Sequence, residues 1–194
     1  MTVIRVNPAS VQGYGRQAQT LFNDMHQSLV ALVDQSVEVH YFGNNATQFK
    51  TKCGQMATQF AASLHKDLAG MAEAVRVSTS NIAGSLGGAP ITIQVDPKPI
   101  TAPAVSTVDY VDLDTSALEG LAPQVSSKFT AIRTSLSSNA SALAATDWKG
   151  TAKENAVTAV QGLTRNAVTK CDEAEKSITA YIKEQVSNSI KADA

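Results

Sequence analysis

Val39-His40-Tyr41-Phe42-Gly43-Asn44 has a counterpart in the second half of the chain, Thr146-Asp147-Trp148-Lys149-Gly150-Thr151. Each places a large aromatic two residues before a glycine, in a polar break between two long segments with helical periodicity. Working outward from this pair, residues 6–83 can be laid over residues 113–190 without a gap, putting Gly13 on Gly120, Phe22 on Phe129 and Leu29 on Leu136. The two segments share few identities. What coincides is the spacing of their apolar positions and their one forced bend, the mark of a supersecondary unit present twice.

Four segments carry the period. Val11, Tyr14, Ala18, Phe22, Met25, Leu29 and Leu32 or Val33 recur at steps of three and four, as do Ala46, Phe49, Cys53, Met56, Phe60, Leu64, Leu68, Met71 and Val75. In the second half the stripes are Leu118, Leu121, Val125, Phe129, Ile132, Leu136 and Leu143, then Ala156, Val160, Leu163, Ala167, Cys171, Ala174, Ile178, Ile182, Val186 and Ile190. Such steps keep one apolar stripe on one face of a helix. Only a handful of residues around Gly43 or Gly150 separates the helices of each half, which forces them antiparallel. A hairpin with one apolar face cannot bury it alone, but two can bury each other's. The expected fold is all-α: two long helical hairpins packed as an antiparallel four-helix bundle.

Helix starts are marked. Asn7-Pro8 offers a capping side chain followed by a proline at the first helical position. Asp114 is the aligned cap of the third helix, with Ser116…Glu119 a competing capping box, and Thr151…Glu154 is a further box after Gly150. Between the hairpins the chain changes character. Gly84, Gly87 and Gly88 are expected to end the second helix, and four of the six prolines follow (Pro90, Pro97, Pro99, Pro103) with Ile91, Thr92, Ile93 and Val95 among them. The organisation predicted is a hairpin over 1–83, an extended Pro/Gly-rich linker over 84–112 and a hairpin over 113–194. A linker of that length can follow a helix from end to end, which suits hairpins whose turns point opposite ways.

Composition excludes several function classes. Hydrophobic residues make up 43 % but aromatics only 5 %, so the helices are slim and closely packed instead of enclosing a bulky core. With 16 basic and 17 acidic residues and no cluster of either sign, neither a nucleic-acid stripe nor an anionic-membrane patch is expected. No stretch approaches the roughly 18 apolar residues of a membrane span. The first residues, Met1 to Asn7, carry no charged leader and apolar run, so synthesis as a soluble cytoplasmic chain without a cleavable signal peptide is expected.

No catalytic or metal constellation is expected, and no cofactor. His26, His40 and His65 are too widely spaced for a local metal motif. Asp109, Asp112 and Asp114 lack the glycine and distal glutamate of a calcium loop and suit the positive end of a helix dipole. Cys53 and Cys171 fall on apolar stripes; buried thiols and a disulfide between the halves are both open readings. Trp148, the only tryptophan, could staple its turn by covering the end of the bundle or anchor a partner.

A helix, a Trp-x-Gly turn and a second helix within about a hundred residues resembles the WXG family, the early-secreted-antigenic-target-like proteins of type VII secretion. Trp148-Lys149-Gly150 is the literal motif, and Tyr41-Phe42-Gly43 looks like a variant with Tyr in place of Trp. The resemblance covers nearly the whole chain outside the linker. It implies helical hairpins that pair antiparallel, export in the folded state by an ATPase-driven type VII (ESX) system of actinobacteria and related Gram-positive bacteria, and action through protein surfaces. The chain would then be a covalently fused WXG heterodimer, pairing its halves at high effective concentration as a monomer or a swapped dimer.

Family export signals place a Tyr and an acidic residue four apart on a helix just beyond the second hairpin helix. Here Tyr181 is followed by Gln185, with Glu184 one place early; Tyr110…Asp114 has the letters but lies at the end of the linker. The implied function is that of a non-enzymatic exported substrate or export partner, meeting the secretion machinery and a co-secreted effector. The alternatives are a cytoplasmic adaptor or chaperone for a type VII toxin, and a membrane-active protein whose hairpins open.

Overall fold

The computed structural model describes residues 3–86 and 88–193, without the side chains of 85, 86 and 193. Its elements in chain order are β1 (Arg5–Val6), α1 (Pro8–Glu38), β2 (Tyr41–Phe42), α2 (Asn44–Leu86), β3 (Asp112–Leu113), α3 (Thr115–Ala145), β4 (Trp148–Lys149) and α4 (Thr151–Asp193). The protein is an all-α four-helix bundle in which α1 packs on α3 and α4 packs on both α2 and α3. The sequence repeat holds element by element. α1 and α3 each have 31 residues, α2 and α4 each 43. Every element of the second half starts at the same offset from its counterpart, the one that carries Gly43 onto Gly150.

Two compact units form, and each draws on both repeats. The first comprises Met1–His26, Leu64–Pro97 and Arg133–Thr169; the second comprises Gln27–Ser63, Lys98–Ile132 and Lys170–Ala194. Hence the turn at Gly150 shares its unit with the start of α1, and the turn at Gly43 shares its unit with the start of α3. Within the first unit Arg5 meets Asp147 and Tyr14 meets Asn139, so α1 and α3 run antiparallel. Within the second unit Phe49 stacks on Tyr181, while Met56, Phe60 and Ser63 share a groove with Lys170, Ala174 and Ile178, so α2 and α4 do likewise.

The apolar stripes read from the sequence form the core. Of the α1 and α3 stripes, every residue is buried, as is every α2 stripe residue except Met56, which is partly exposed. The α4 stripe is the looser one. Ala156, Val160, Ala167, Cys171, Ile178 and Ile182 are buried, Leu163, Ala174 and Val186 only partly, and Ile190 is 52 % exposed. Phe60 against Phe129, with ring centroids 4.9 Å apart, joins α2 to α3 in the second unit. α3 also accommodates Pro123, whose missing N–H forgoes the bond to Glu119.

The caps settle the open boundaries. Asn7 Oδ1 accepts from the amides of Ala9 and Ser10, and Asp114 Oδ1 accepts from that of Ala117, so Asp114 and not Ser116 caps α3. The expected Thr151 cap is displaced by one residue. α4 begins at Thr151 itself, and the Gly150 carbonyl accepts from Lys153 and Glu154. α2 runs through Gly84 to Leu86, past the expected stop; Gly88 takes the left-handed φ of +142°, and Gly87 lies outside the described residues. Glycine in a helix interior costs only about 1 kcal/mol, so Gly84 alone does not terminate a 43-residue helix.

The linker is extended and docked on the first hairpin. In the first unit Ile91 N donates to Thr79 Oγ1, and the Ile91 side chain fills the space left by Gly15, where a Cβ would lie 3.0 Å from it. Gln19 exchanges two hydrogen bonds with the Gln94 backbone, donating from Nε2 and accepting at Oε1. In the second unit Ala102 lies over Gly54, 3.2 Å from where a Cβ would stand. Cys53 and Cys171 are both buried thiols and are not joined to each other, so the structure answers to the buried-thiol reading and not to a disulfide between the halves. No helix among the described residues is long and apolar enough to cross a membrane.

Candidate functional site

The residues singled out by sequence gather at the two glycine turns, and each turn is held by a short strand from the other repeat. In the first unit β1 pairs antiparallel with β4, setting Val6 opposite Trp148 and Arg5 opposite Lys149. In the second unit β3 pairs with β2, setting Leu113 opposite Tyr41 and Asp112 opposite Phe42. The backbone repeats the same bonds. Asn7 N donates to Asp147 O at 2.9 Å and Asp114 N to His40 O at 3.1 Å. Trp148 N donates to Thr146 O and Tyr41 N to Val39 O, both at 2.8 Å. Sequence reasoning misses these strands, which are too short to show a period. Their one signal is the repeat, because Arg5-Val6 and Asp112-Leu113 stand in register just ahead of the two caps, Asn7 and Asp114.

The glycines follow from this geometry. Gly43 and Gly150 have φ of +119° and +126°, a region that L side chains rarely adopt. A residue beside the crossing strand also rests on each: Val111 Cγ2 would lie 3.2 Å from a Cβ at Gly43, and Ile4 Cγ1 3.6 Å from one at Gly150. The bend requires the glycine at both turns, and the crossing segment adds a tight contact only at Gly43, since 3.6 Å is ordinary van der Waals distance.

The aromatics are buried. Trp148 is 2 % exposed and is the largest fully buried side chain; Tyr41 is 5 % exposed. As it stands in this fold, the indole is enclosed in the first unit and is not offered to solvent. Tyr41 packs against Phe49, with centroids 6.1 Å apart, and its hydroxyl accepts a 3.1 Å hydrogen bond from Gln185 Nε2. Around the second-repeat turn, Lys153 Nζ donates to the carbonyls of Ala144, in the last turn of α3, and of Thr146 just beyond it. Thr146 Oγ1 donates to Leu143 O beside it.

The four export-signal residues fall in two places, Tyr181 and Glu184 on α4 and Tyr110 and Asp114 ahead of α3. Tyr181 stacks on Phe49 with Lys52 Nζ 4.4 Å above its ring, and burial, followed by the nearby Cys53, Glu184 and Tyr41, raises its phenol. Glu184 is exposed on the same helix. Tyr110 is exposed beside Phe42, with centroids 6.5 Å apart, in the extended segment, while Asp114 is a helix cap. The two therefore do not share a helical face.

Of the histidines, His40 pairs with Asp112 at 3.1 Å and rests edge-on against Phe42; His26 and His65 are part-exposed helix residues. Among the described residues, no group of three or more His, Cys, Asp and Glu is gathered as a metal site. Burial lowers the Lys50 ammonium, which sits 4.7 Å over the Phe42 ring. No family model, curated protein or solved structure matches this chain.

Proposed function

We propose that this chain is a non-enzymatic protein of a type VII secretion system, built as a single-chain WXG heterodimer and exported folded or acting as an export partner. The observation that carries the reading is the pair of turns. An aromatic-x-Gly bend recurs at the same place in two hairpins of equal helix lengths, and each bend is closed by the other repeat's strand. Fusion keeps the two hairpins together at any concentration, and recognition falls to the surface, since the bend's aromatics are buried. In this reading the partners are proteins, namely the secretion machinery and a co-secreted effector.

The test is fractionation of the producing cells with and without the type VII ATPase. The chain is expected in the medium only when the ATPase is present. A chain that stays in the cell lysate in both strains overturns export.

One observation favours a second reading, a cytoplasmic adaptor that holds a toxin and remains behind. The helix that would carry a family export signal is engaged within the fold: Gln185 stands four residues after Tyr181 and donates to Tyr41, and Tyr181 stacks on Phe49. Retention in both strains, with a toxin co-purifying, supports this reading over export.

A further inference from the structure

Six large apolar side chains stand exposed among the described residues, and four of them form two corresponding pairs at the turns. Ile4 (62 % exposed) lies against Gly150 with Val3 (69 %) next to it in the chain, while Val111 (79 %) and the backbone carbonyl of Tyr110 (59 %) lie against Gly43. Under the repeat alignment Val3 falls on Tyr110 and Ile4 on Val111. Exposed apolar side chains at matching places, beside strands that already cross a turn, mark a contact surface and not scattered surface hydrophobes.

The charges beside the two pairs differ in sign. At the first-unit turn Arg5 is matched by Asp147, leaving Lys149 exposed opposite it in the strand pair, with Lys153 and Glu154 opening α4. At the second-unit turn Asp112 is bonded to His40, and Asp109, Asp114 and Glu38 are exposed in the segments that flank the turn and its strand, while Lys50, whose ammonium lies over Phe42, is buried. One patch is aliphatic with an unmatched lysine; the other is aromatic and acidic.

We propose that the aliphatic, basic turn patch (Val3, Ile4, Lys149) of one chain docks on the aromatic, acidic turn patch (Tyr110, Val111, Asp109) of a second copy. Like patches repel or lack complementary charge, so the contact is heterologous. Each chain carries one patch of each kind, so every docked chain has a second patch that can make the same contact. The inference goes beyond the secretion reading and stands or falls without it.

The test uses the full chain in sedimentation velocity over a concentration series. The wild type is expected to associate as concentration rises. Two variants separate the patches: Val3→Ser with Ile4→Ser, and Tyr110→Ser with Val111→Ser. All four residues are exposed, so melting of the variants should match the wild type and rule out misfolding. Each variant alone is expected to stay monomeric, whereas their equimolar mixture forms a dimer that grows no further, because it pairs the one intact patch of each. Lys149→Glu, which sets an acid against the acidic patch, should weaken wild-type association by about tenfold or more. A wild type that stays monomeric, a variant that dimerises by itself, a mixture that stays monomeric, or undiminished association of Lys149→Glu overturns the proposal.

Discussion

Arg5 Nη2 lies 3.1 Å from Asp147 Oδ2, and at the corresponding positions of the other repeat Asp112 Oδ2 lies 3.1 Å from His40 Nε2. The same clamp closes both turns with its polarity exchanged, the basic side chain on the strand at one turn and the acidic one on the strand at the other. Opposite polarity at equivalent positions is what two different paired chains would carry after fusion. It also stops either strand from being satisfied on the wrong turn, where Arg5 would meet His40 and Asp112 would meet Asp147.

The clamp's energy is open to a double-mutant cycle. Arg5→Asp places two carboxylates together at one turn and is expected to lower stability by about 0.5–1 kcal/mol, since Arg5 is largely exposed and Asp147 half-buried. Arg5→Asp combined with Asp147→Arg should recover most of that loss, and the recovery should shrink in high salt. Urea midpoints of the four proteins measure it. No recovery in the double variant shows that the pair contributes nothing beyond the strand hydrogen bonds.

Trp148 supplies the second expectation. Truncating a fully buried tryptophan leaves a large void, so Trp148→Ala should cost about 3–5 kcal/mol. Trp148→Tyr, which installs the residue found at the corresponding Tyr41, should cost clearly less. Thermal melts followed by circular dichroism check both, before any export assay is interpreted. Loss of export in Trp148→Ala with an unchanged melt would instead locate the indole's role in recognition.

Much of this architecture is legible in the sequence because the repeat doubles every signal. The stripes from Val11 to Leu143, the bends at Gly43 and Gly150 and the caps at Asn7 and Asp114 are each written in local chemistry, and the apolar stripes then select the partner faces. The crossing strands escape such reading. Two residues such as Arg5-Val6 have no period, and their pairing depends on a turn in the other half of the chain. Burial of Trp148 escapes for the same reason: a tryptophan beside a turn is covered or exposed according to what crosses it, and β1 is what crosses. The stop of α2 lies beyond the expected one because glycine is permissive without being prohibitive, so Gly84 stays helical.

Cys53 gives a pH dependence. Burial pushes its thiol from 9.0 up to about 12, against a smaller opposing effect of the hydrogen bond with Ser36. Below pH 9 the thiol is neutral folded and unfolded, and contributes no pH dependence. Between 9 and about 12 the unfolded chain releases a proton that the folded chain keeps, so stability falls as pH rises, by up to ~1.4 kcal/mol per unit. Urea midpoints taken across this range should fall less steeply for Cys53→Ala than for the wild type. Tyr14, whose phenol burial also raises, loads both proteins equally and cancels in the comparison. Equal slopes would mean that the thiol ionises in the fold as it does outside it.

Tyr14 and Asn139 offer the most direct test of the pseudo-symmetry itself. Tyr14 donates to Asn139 Oδ1 at 3.1 Å in the first unit's interior, and Asn139 Nδ2 is buried without a hydrogen-bond partner. The corresponding positions of the other repeat, Leu121 for Tyr14 and Leu32 for Asn139, are both buried leucines. One arrangement of the same fold therefore tolerates a polar pair where the other uses apolar packing. Tyr14→Phe leaves the whole Asn139 amide buried and unpaired, and should cost about 1–3 kcal/mol. Tyr14→Leu combined with Asn139→Leu reproduces the other repeat's pair and removes the orphan, so it should be at least as stable as the wild type. Equilibrium unfolding of the single and double variants decides between them. If the double variant is the less stable, the two repeats do not present equivalent cavities at this level, and the correspondence between them is one of backbone alone.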